Sequence, residues 1–139
     1  MEWRSLVPEL VVSDFKKSLQ FYVSVLGFTI KYERADPSFA YLEFEGSQIM
    51  IEELQADSWA VGELSHPFGR GMNLQIECPD VAGIRKRIAG VGIAVERELH
   101  DAYYEAAGAT IGQRQFTVAD PDGYLFRFCQ IIGERRLDV

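Results

Sequence analysis

The sequence predicts an α+β fold made of two βαβββ modules, whose curved mixed sheets form around a cleft. Three observations carry this. An apolar strand-like run leads into a helix N-cap and an amphipathic stripe twice, with Asp14 and Asp80 as the caps. The two helical segments have nearly equal lengths, 13 positions from Asp14 to Gly27 (27 − 14) and 12 from Asp80 to Gly92 (92 − 80). Three strand-like runs follow each helix, which favours antiparallel pairing over an all-parallel sheet.

In chain order, residues 6–12 are apolar and β-branched and end at Ser13 and Asp14, both good N-caps. Phe15, Leu19, Tyr22, Val25 and Leu26 follow at helical spacing, and Gly27 suits the C-cap. Strands are expected at 28–33, 39–44 and 49–53, punctuated by Asp36-Pro37-Ser38 and Glu45-Gly46-Ser47. Residues 54–70 lack periodicity and read as a connector. A strand is expected at 72–78, then a helix with Val81, Ile84, Ile88 and Val91 inward and Arg85-Lys86-Arg87 on a solvated face. Another strand spans 93–99, and residues 100–113 are an excursion. The stretch from Arg114 to Phe128 then reads as two alternating strands joined by Asp120-Pro121-Asp122-Gly123, in which proline presets φ, aspartates bond their own backbone and glycine accepts positive φ. The organisation is thus a single domain, 1–139, of modules 1–53 and 71–132 joined by connector 54–70.

The chain's 47% hydrophobic content supports one sizeable core, and its net charge of −7 argues against nucleic acid, whose phosphates it would repel. No apolar run approaches the roughly 20 residues that cross a bilayer, and the first residues lack a signal-peptide layout, so no membrane partner and a cytoplasmic location are expected. Cys78 and Cys129 have no CxxC spacing and fall in strands, which reads as buried thiols.

Alternation divides each sheet into two faces. Leu10, Val12, Leu42, Phe44, Ile49, Ile51, Leu74, Ile76, Phe116, Val118, Phe126 and Phe128 form the helix side. Glu9, Phe39, Tyr41, Glu43, Met50, Glu52, Asn73, Gln75, Glu77, Gln115, Thr117 and Arg127 form the other, which is polar, acidic and partly aromatic. That face is either a solvated outer surface or the lining of a ligand cleft.

Val7-Pro8-Glu9-Leu10-Val11-Val12-Ser13-Asp14, then Ser18 to Tyr22 and Leu26-Gly27-Phe28, resemble the opening of the vicinal oxygen chelate superfamily, which includes glyoxalase I, extradiol dioxygenases and antibiotic resistance proteins. The run from Arg114 to Gly123 is similar to the closing motif of its bleomycin resistance branch. The resemblance implies four metal-ligand positions, which fall here on Val7, Glu52, Asn73 and Arg127. Only Glu52 is a competent ligand, and a permanently cationic arginine repels a metal. His66 and His100 lie off these strands, and no nucleophile sits beside a base, so no catalytic residue, metal or cofactor is expected. The same pattern implies that Glu52 and Arg127 face the cleft, with the guanidinium in the metal's place beside Glu52.

The branch sequesters a cationic drug as an acidic dimer, stacking a flat ring system between aromatic side chains. Phe39 matches one stacking aromatic. The partner tryptophan is missing near Gly112, where Tyr103, Tyr104 or Trp59 would have to substitute. The reading is therefore a homodimeric, metal-independent small-molecule binding protein whose ligand is flat or cationic, lined by Phe39, Tyr41, Glu52, Trp59, Asn73, Tyr103 and Arg127. The alternative is a metal-dependent lyase or dioxygenase of the glyoxalase type using Glu52.

Overall fold

The computed structural model describes residues 2–136, with side chains to 135. Its strands form two four-stranded mixed sheets and the chain divides into two compact units: residues 1–72 with 120–124, and residues 73–119 with 125–139. The segment 54–70 lies in the first unit, as does the Asp-Pro-Asp-Gly turn.

In the first unit, β1 (Glu9–Val12), β2 (Thr29–Arg34), β3 (Phe39–Phe44) and β4 (Ser47–Glu53) are ordered β1-β4-β3-β2, with β1 parallel to β4 and the other pairs antiparallel. The α-helix α1 (Phe15–Gln20) starts where Asp14 Oδ1 accepts the Lys17 N–H at 3.1 Å, a standard N-cap. It does not continue as one helix to Leu26, as the periodicity predicts. Residues Phe21–Leu26 widen into a π-helical turn that stops at Gly27, whose φ of 95° suits glycine. The widening keeps Phe21, Tyr22 and Leu26 buried together. Leu10, Val12, Leu42, Ile49 and Ile51 supply the sheet side of this core, while Phe44 is only half-buried. Each fully buried aliphatic side chain contributes about 1.5–3 kcal/mol of transfer energy.

The turn is anchored by its carboxylates. The Tyr22 hydroxyl donates to Asp120 Oδ2 at 2.6 Å, and the N–H groups of Asp122 and Tyr124 donate to Asp120 Oδ1 at 2.9 and 2.8 Å. The Ser13 N–H and hydroxyl both donate to Asp122, so Ser13 serves the turn rather than α1. The Tyr124 hydroxyl donates to the Val11 carbonyl at 2.9 Å.

The second unit holds β5 (Asn73–Glu77), α2 (Val81–Gly90), β6 (Arg97–Ala106), β7 (Ala109–Ala119) and β8 (Leu125–Arg136), in the order β5-β8-β7-β6. Asp80 caps α2 through the Gly83 N–H. Val81, Ile84 and Ile88 pack inward with Ile76, Phe116, Val118, Phe126 and Phe128, whereas Val91, expected on that stripe, is exposed and Leu74 is half-buried. Two expectations are corrected here. The strand expected at 93–99 begins only at Arg97, and the excursion at 100–113 is a long hairpin, β6 to β7, closed by Ala107 and Gly108 with φ of 50° and 77°. Two successive left-handed residues make a two-residue turn that matches strand twist. Cys78 and Cys129 are buried, and neither forms a disulfide among the described residues.

Candidate functional site

The first unit's outer sheet face is built in two rows by strand register. One row runs Arg34 (β2), Phe39 (β3), Glu52 (β4) and Val11 (β1). The next runs Tyr32, Tyr41, Met50 and Glu9 across the same strands. A bulge between Ile30 and Tyr32 shifts the register of β2, so that Ile30 opposes Leu42 on the helix side while Tyr32 opposes Tyr41 on this face.

The result is an aromatic platform capped by a cation. Tyr32 stacks on Tyr41 with centroids 5.3 Å apart and tilts against Phe39 at 5.7 Å, and the Trp3 edge meets Tyr41 at 5.1 Å. The Arg34 guanidinium carbon lies 4.0 Å from the Phe39 centroid and 5.7 Å from that of Tyr32. Such a stack contributes about 0.5–2 kcal/mol, depending on desolvation.

Beside this stack is a cavity of about 270 Å³, lined chiefly by Arg34, Asp36, Phe39, Glu52, Asp57 and Trp59. Its volume lies just below the range of about 300–1,000 Å³ usual for small-molecule sites. Of its lining residues Phe39 is 1% exposed and Trp59 91% exposed. Trp59 is carried on a turn closed by the Gln55 N–H donating to Ser58 Oγ at 2.9 Å. Glu52 Oε1 accepts from Gln55 Nε2 at 3.1 Å. Burial, reinforced by the nearby Glu52 carboxylate and opposed by Arg34, raises the Glu9 carboxyl above its ordinary pKa.

Of the residues expected to line the cleft, Phe39, Glu52 and Trp59 meet at this cavity. Tyr41 shares the face but its hydroxyl donates to Gln48 Oε1, and the Gln48 amide donates to Glu43 and to the Glu2 carbonyl, so Tyr41 is committed to packing. Asn73, Tyr103 and Arg127 belong to the second unit. Asn73 is exposed at the start of β5. Tyr103 is 68% exposed and its ring lies over Gly112, where any Cβ would meet it at 2.8 Å. Arg127 sits on β8 between Gln75 and Thr117, with its Nε buried and without a hydrogen-bond partner among the described residues. Arg34, Asp36 and Asp57 are lining residues that sequence alternation does not reveal.

The four positions that would hold a metal do not fit one. Val7 has no donor, Asn73 is a weak ligand and Arg127 is cationic, which leaves Glu52. Among the described residues no three His, Cys, Asp or Glu side chains are grouped to hold an ion. His100 is engaged through Nδ1 with the Glu98 carbonyl at 2.8 Å.

The fold is that of a two-module α+β protein with two four-stranded mixed sheets. The chain belongs to the Glyoxalase/Bleomycin resistance protein/Dioxygenase superfamily, whose family model matches residues 6–128. It is 28% identical over 135 residues to the Bleomycin resistance proteins of Geobacillus stearothermophilus and Staphylococcus aureus, covering 91% of this chain and 96% of theirs. Two solved structures share the fold. TioX from Micromonospora sp. ML1 has a TM-score of 0.69 at 20% identity, covering 91% of this chain and 95% of its own. Virulence protein STM3117 from Salmonella typhimurium has a TM-score of 0.67 at 21% identity, covering 95% and 99%. No helix among the described residues is long and apolar enough to cross a membrane.

Proposed function

We propose that this chain is a metal-independent binding protein that sequesters a flat, positively charged organic molecule without transforming it, in a cleft at the interface of a homodimer. The observation that carries the reading is the Arg34 guanidinium stacked 4.0 Å over Phe39, in a cavity that also presents Asp36, Glu52 and Asp57. A guanidinium is itself a planar cation, so the cavity already holds the chemistry it is proposed to bind. The net charge of −7 supports the same sign of ligand by long-range attraction. The naming of the relatives makes bleomycin the first drug to test, alongside a planar amidinium dye as a minimal probe.

Trp59 fluorescence and calorimetry read binding, with Trp3, the second tryptophan, removed by Trp3→Phe. Glu52→Gln, which alters a half-buried carboxylate, is expected to weaken dye binding about tenfold, equivalent to about 1.4 kcal/mol. Arg34→Gln is expected to strengthen it, because the internal cation no longer competes for the Phe39 face. Absence of binding by both probes, or binding indifferent to both substitutions, would overturn the proposal. Sedimentation equilibrium tests the dimer, and a monomer at all concentrations would remove that part of the reading.

A further inference from the structure

The segment that precedes β1 lies across the outer face of its own sheet. Its Trp3 ring meets Tyr32 at 6.0 Å and Tyr41 at 5.1 Å, with interplanar angles of 73° and 89°. Tyr32 in turn tilts against Phe39, a lining residue of the cation cavity, at 5.7 Å. Tyr32 is therefore the ring that the cavity wall and Trp3 share. All four rings belong to the first unit.

Gln48 holds the segment in place. It lies opposite Glu43 near the start of β4, on the same face, and is 3% exposed. Its Oε1 accepts the Arg4 N–H at 3.0 Å and the Tyr41 hydroxyl, while its Nε2 donates to the Glu2 carbonyl and to Glu43 Oε2, both at 2.7 Å. A backbone N–H only donates and a backbone carbonyl only accepts, so these two partners fix which way the amide points. In an extended segment the carbonyl of one residue and the N–H two residues on point to the same side, and the Gln48 amide meets both as the peptide group of a neighbouring strand would. Arg4 adds a second anchor, its Nε donating to the Gly46 carbonyl at 2.6 Å in the turn between β3 and β4.

The anchor is buried, but what it holds is not. Trp3 is 58% exposed, and Glu2, Arg4, Ser5 and Leu6 are exposed as well. A segment with little buried apolar surface and exposed hydrogen bonds opens at low free energy. We propose that residues 2–4 form a displaceable strap: Trp3 occupies the aromatic surface that continues from the cation cavity, and a flat cation extended by a second ring takes that surface by lifting the strap from Gln48. The cost of opening then falls on long ligands and spares short ones, so the strap sets a preference for ligand length. This regulation rests on the cavity's taking a flat cation, as proposed above.

The test compares benzamidine with its para-phenyl extension, two planar amidinium ions of equal charge that differ by one ring. Calorimetry gives the ratio of the two affinities, and NMR hydrogen exchange of the Arg4 N–H, the group donated to Gln48, reports the strap directly. The phenyl extension is expected to speed Arg4 exchange about tenfold at saturation, and benzamidine to leave it unchanged. Trp3→Ala is expected to shift the affinity ratio about tenfold toward the longer ion. Arg4→Met, which keeps the Trp3 ring and removes only the Gly46 anchor, should shift the ratio the same way, and because both ions carry one charge the lost cation cancels from it. If both amidines bind, an unchanged or slowed Arg4 exchange with the longer ion, or a ratio unmoved or reversed in Trp3→Ala, overturns the strap and leaves the cation site standing. If neither binds the native protein or Trp3→Ala, the cation site itself is refuted and the strap with it.

Discussion

Replacing Tyr22 by phenylalanine tests the anchor of the Asp-Pro-Asp-Gly turn. The hydroxyl donates at 2.6 Å to Asp120 Oδ2, with Tyr22 wholly buried and Asp120 4% exposed. The substitution keeps the ring contacts to Phe21 at 5.4 Å and Phe28 at 5.6 Å. It removes one donor from a buried carboxylate and cannot be repaired from solvent. A hydrogen bond to a charged group contributes about 1.5–3 kcal/mol, so the cost should be about 2–3 kcal/mol, or about 6–12 °C in melting temperature for a chain of this size. Burial raises the Asp120 pKa, and the Tyr22 hydrogen bond is the largest influence lowering it. A carboxyl with a raised folded pKa contributes stability that is full below its unfolded value and is lost as pH rises through the folded one. Removing the hydroxyl raises that pKa further, so the penalty must grow between about pH 4 and pH 7. Urea unfolding of both proteins across that range measures it. A cost under about 0.5 kcal/mol at pH 7, or one that shrinks with rising pH, would refute the reasoning.

Other substitutions test further parts of the structure. Gly69→Ala puts a Cβ 2.9 Å from the Tyr124 Cα and 3.1 Å from the Gly123 carbonyl, both backbone, and should cost about 1–3 kcal/mol in urea unfolding. The bidentate Arg85–Glu98 pair, with contacts of 2.7 and 2.9 Å, holds the Glu98 carboxyl at about 2. A lowered folded pKa gives stability that is present above the unfolded value and lost as pH falls through the folded one, and NMR titration should show the Glu98 midpoint rise in Arg85→Met. Burial raises the Cys129 thiol above its ordinary pKa, so a disulfide reagent should label Cys129 in urea and leave it unmodified in the folded protein.

The parts of this fold that could be read in advance are those written in local chemistry. Asp14 and Asp80 announce two helix starts, and Asp120-Pro121-Asp122-Gly123 announces a turn, because each acts on backbone groups within a few residues. What escaped the sequence depends on distant register or on unusual residues in special conformations. The β6–β7 hairpin turns on Ala107 and Gly108, and alanine gives no warning of a left-handed φ. Arg34 reaches the Phe39 ring because of the β2 bulge, whereas strict alternation from Ile30 puts it on the helix side. Trp59 belongs to a stretch without periodicity, and only its side-chain-closed turn gives it a place.

Register also shows how the outer faces of the two modules differ. Glu9 and Gln75 each lie five residues before a helix cap (14 − 9 and 80 − 75), and the rows built on them are Glu9, Met50, Tyr41, Tyr32 and Gln75, Arg127, Thr117, Arg97. The same strand positions thus hold an acidic aromatic surface in one unit and a basic hydrogen-bonding surface in the other. Surfaces of these two kinds select among molecules by different physics. Stacking on Phe39 and Tyr32 tolerates any flat π-system, since every ring has a face, whereas hydrogen bonds to Gln115 and Thr117 penalise the loss of one donor or acceptor by leaving a buried atom unpaired. A ligand series varied by ring shape should therefore separate weakly at the first face, and a series varied by single polar groups should separate strongly at the second.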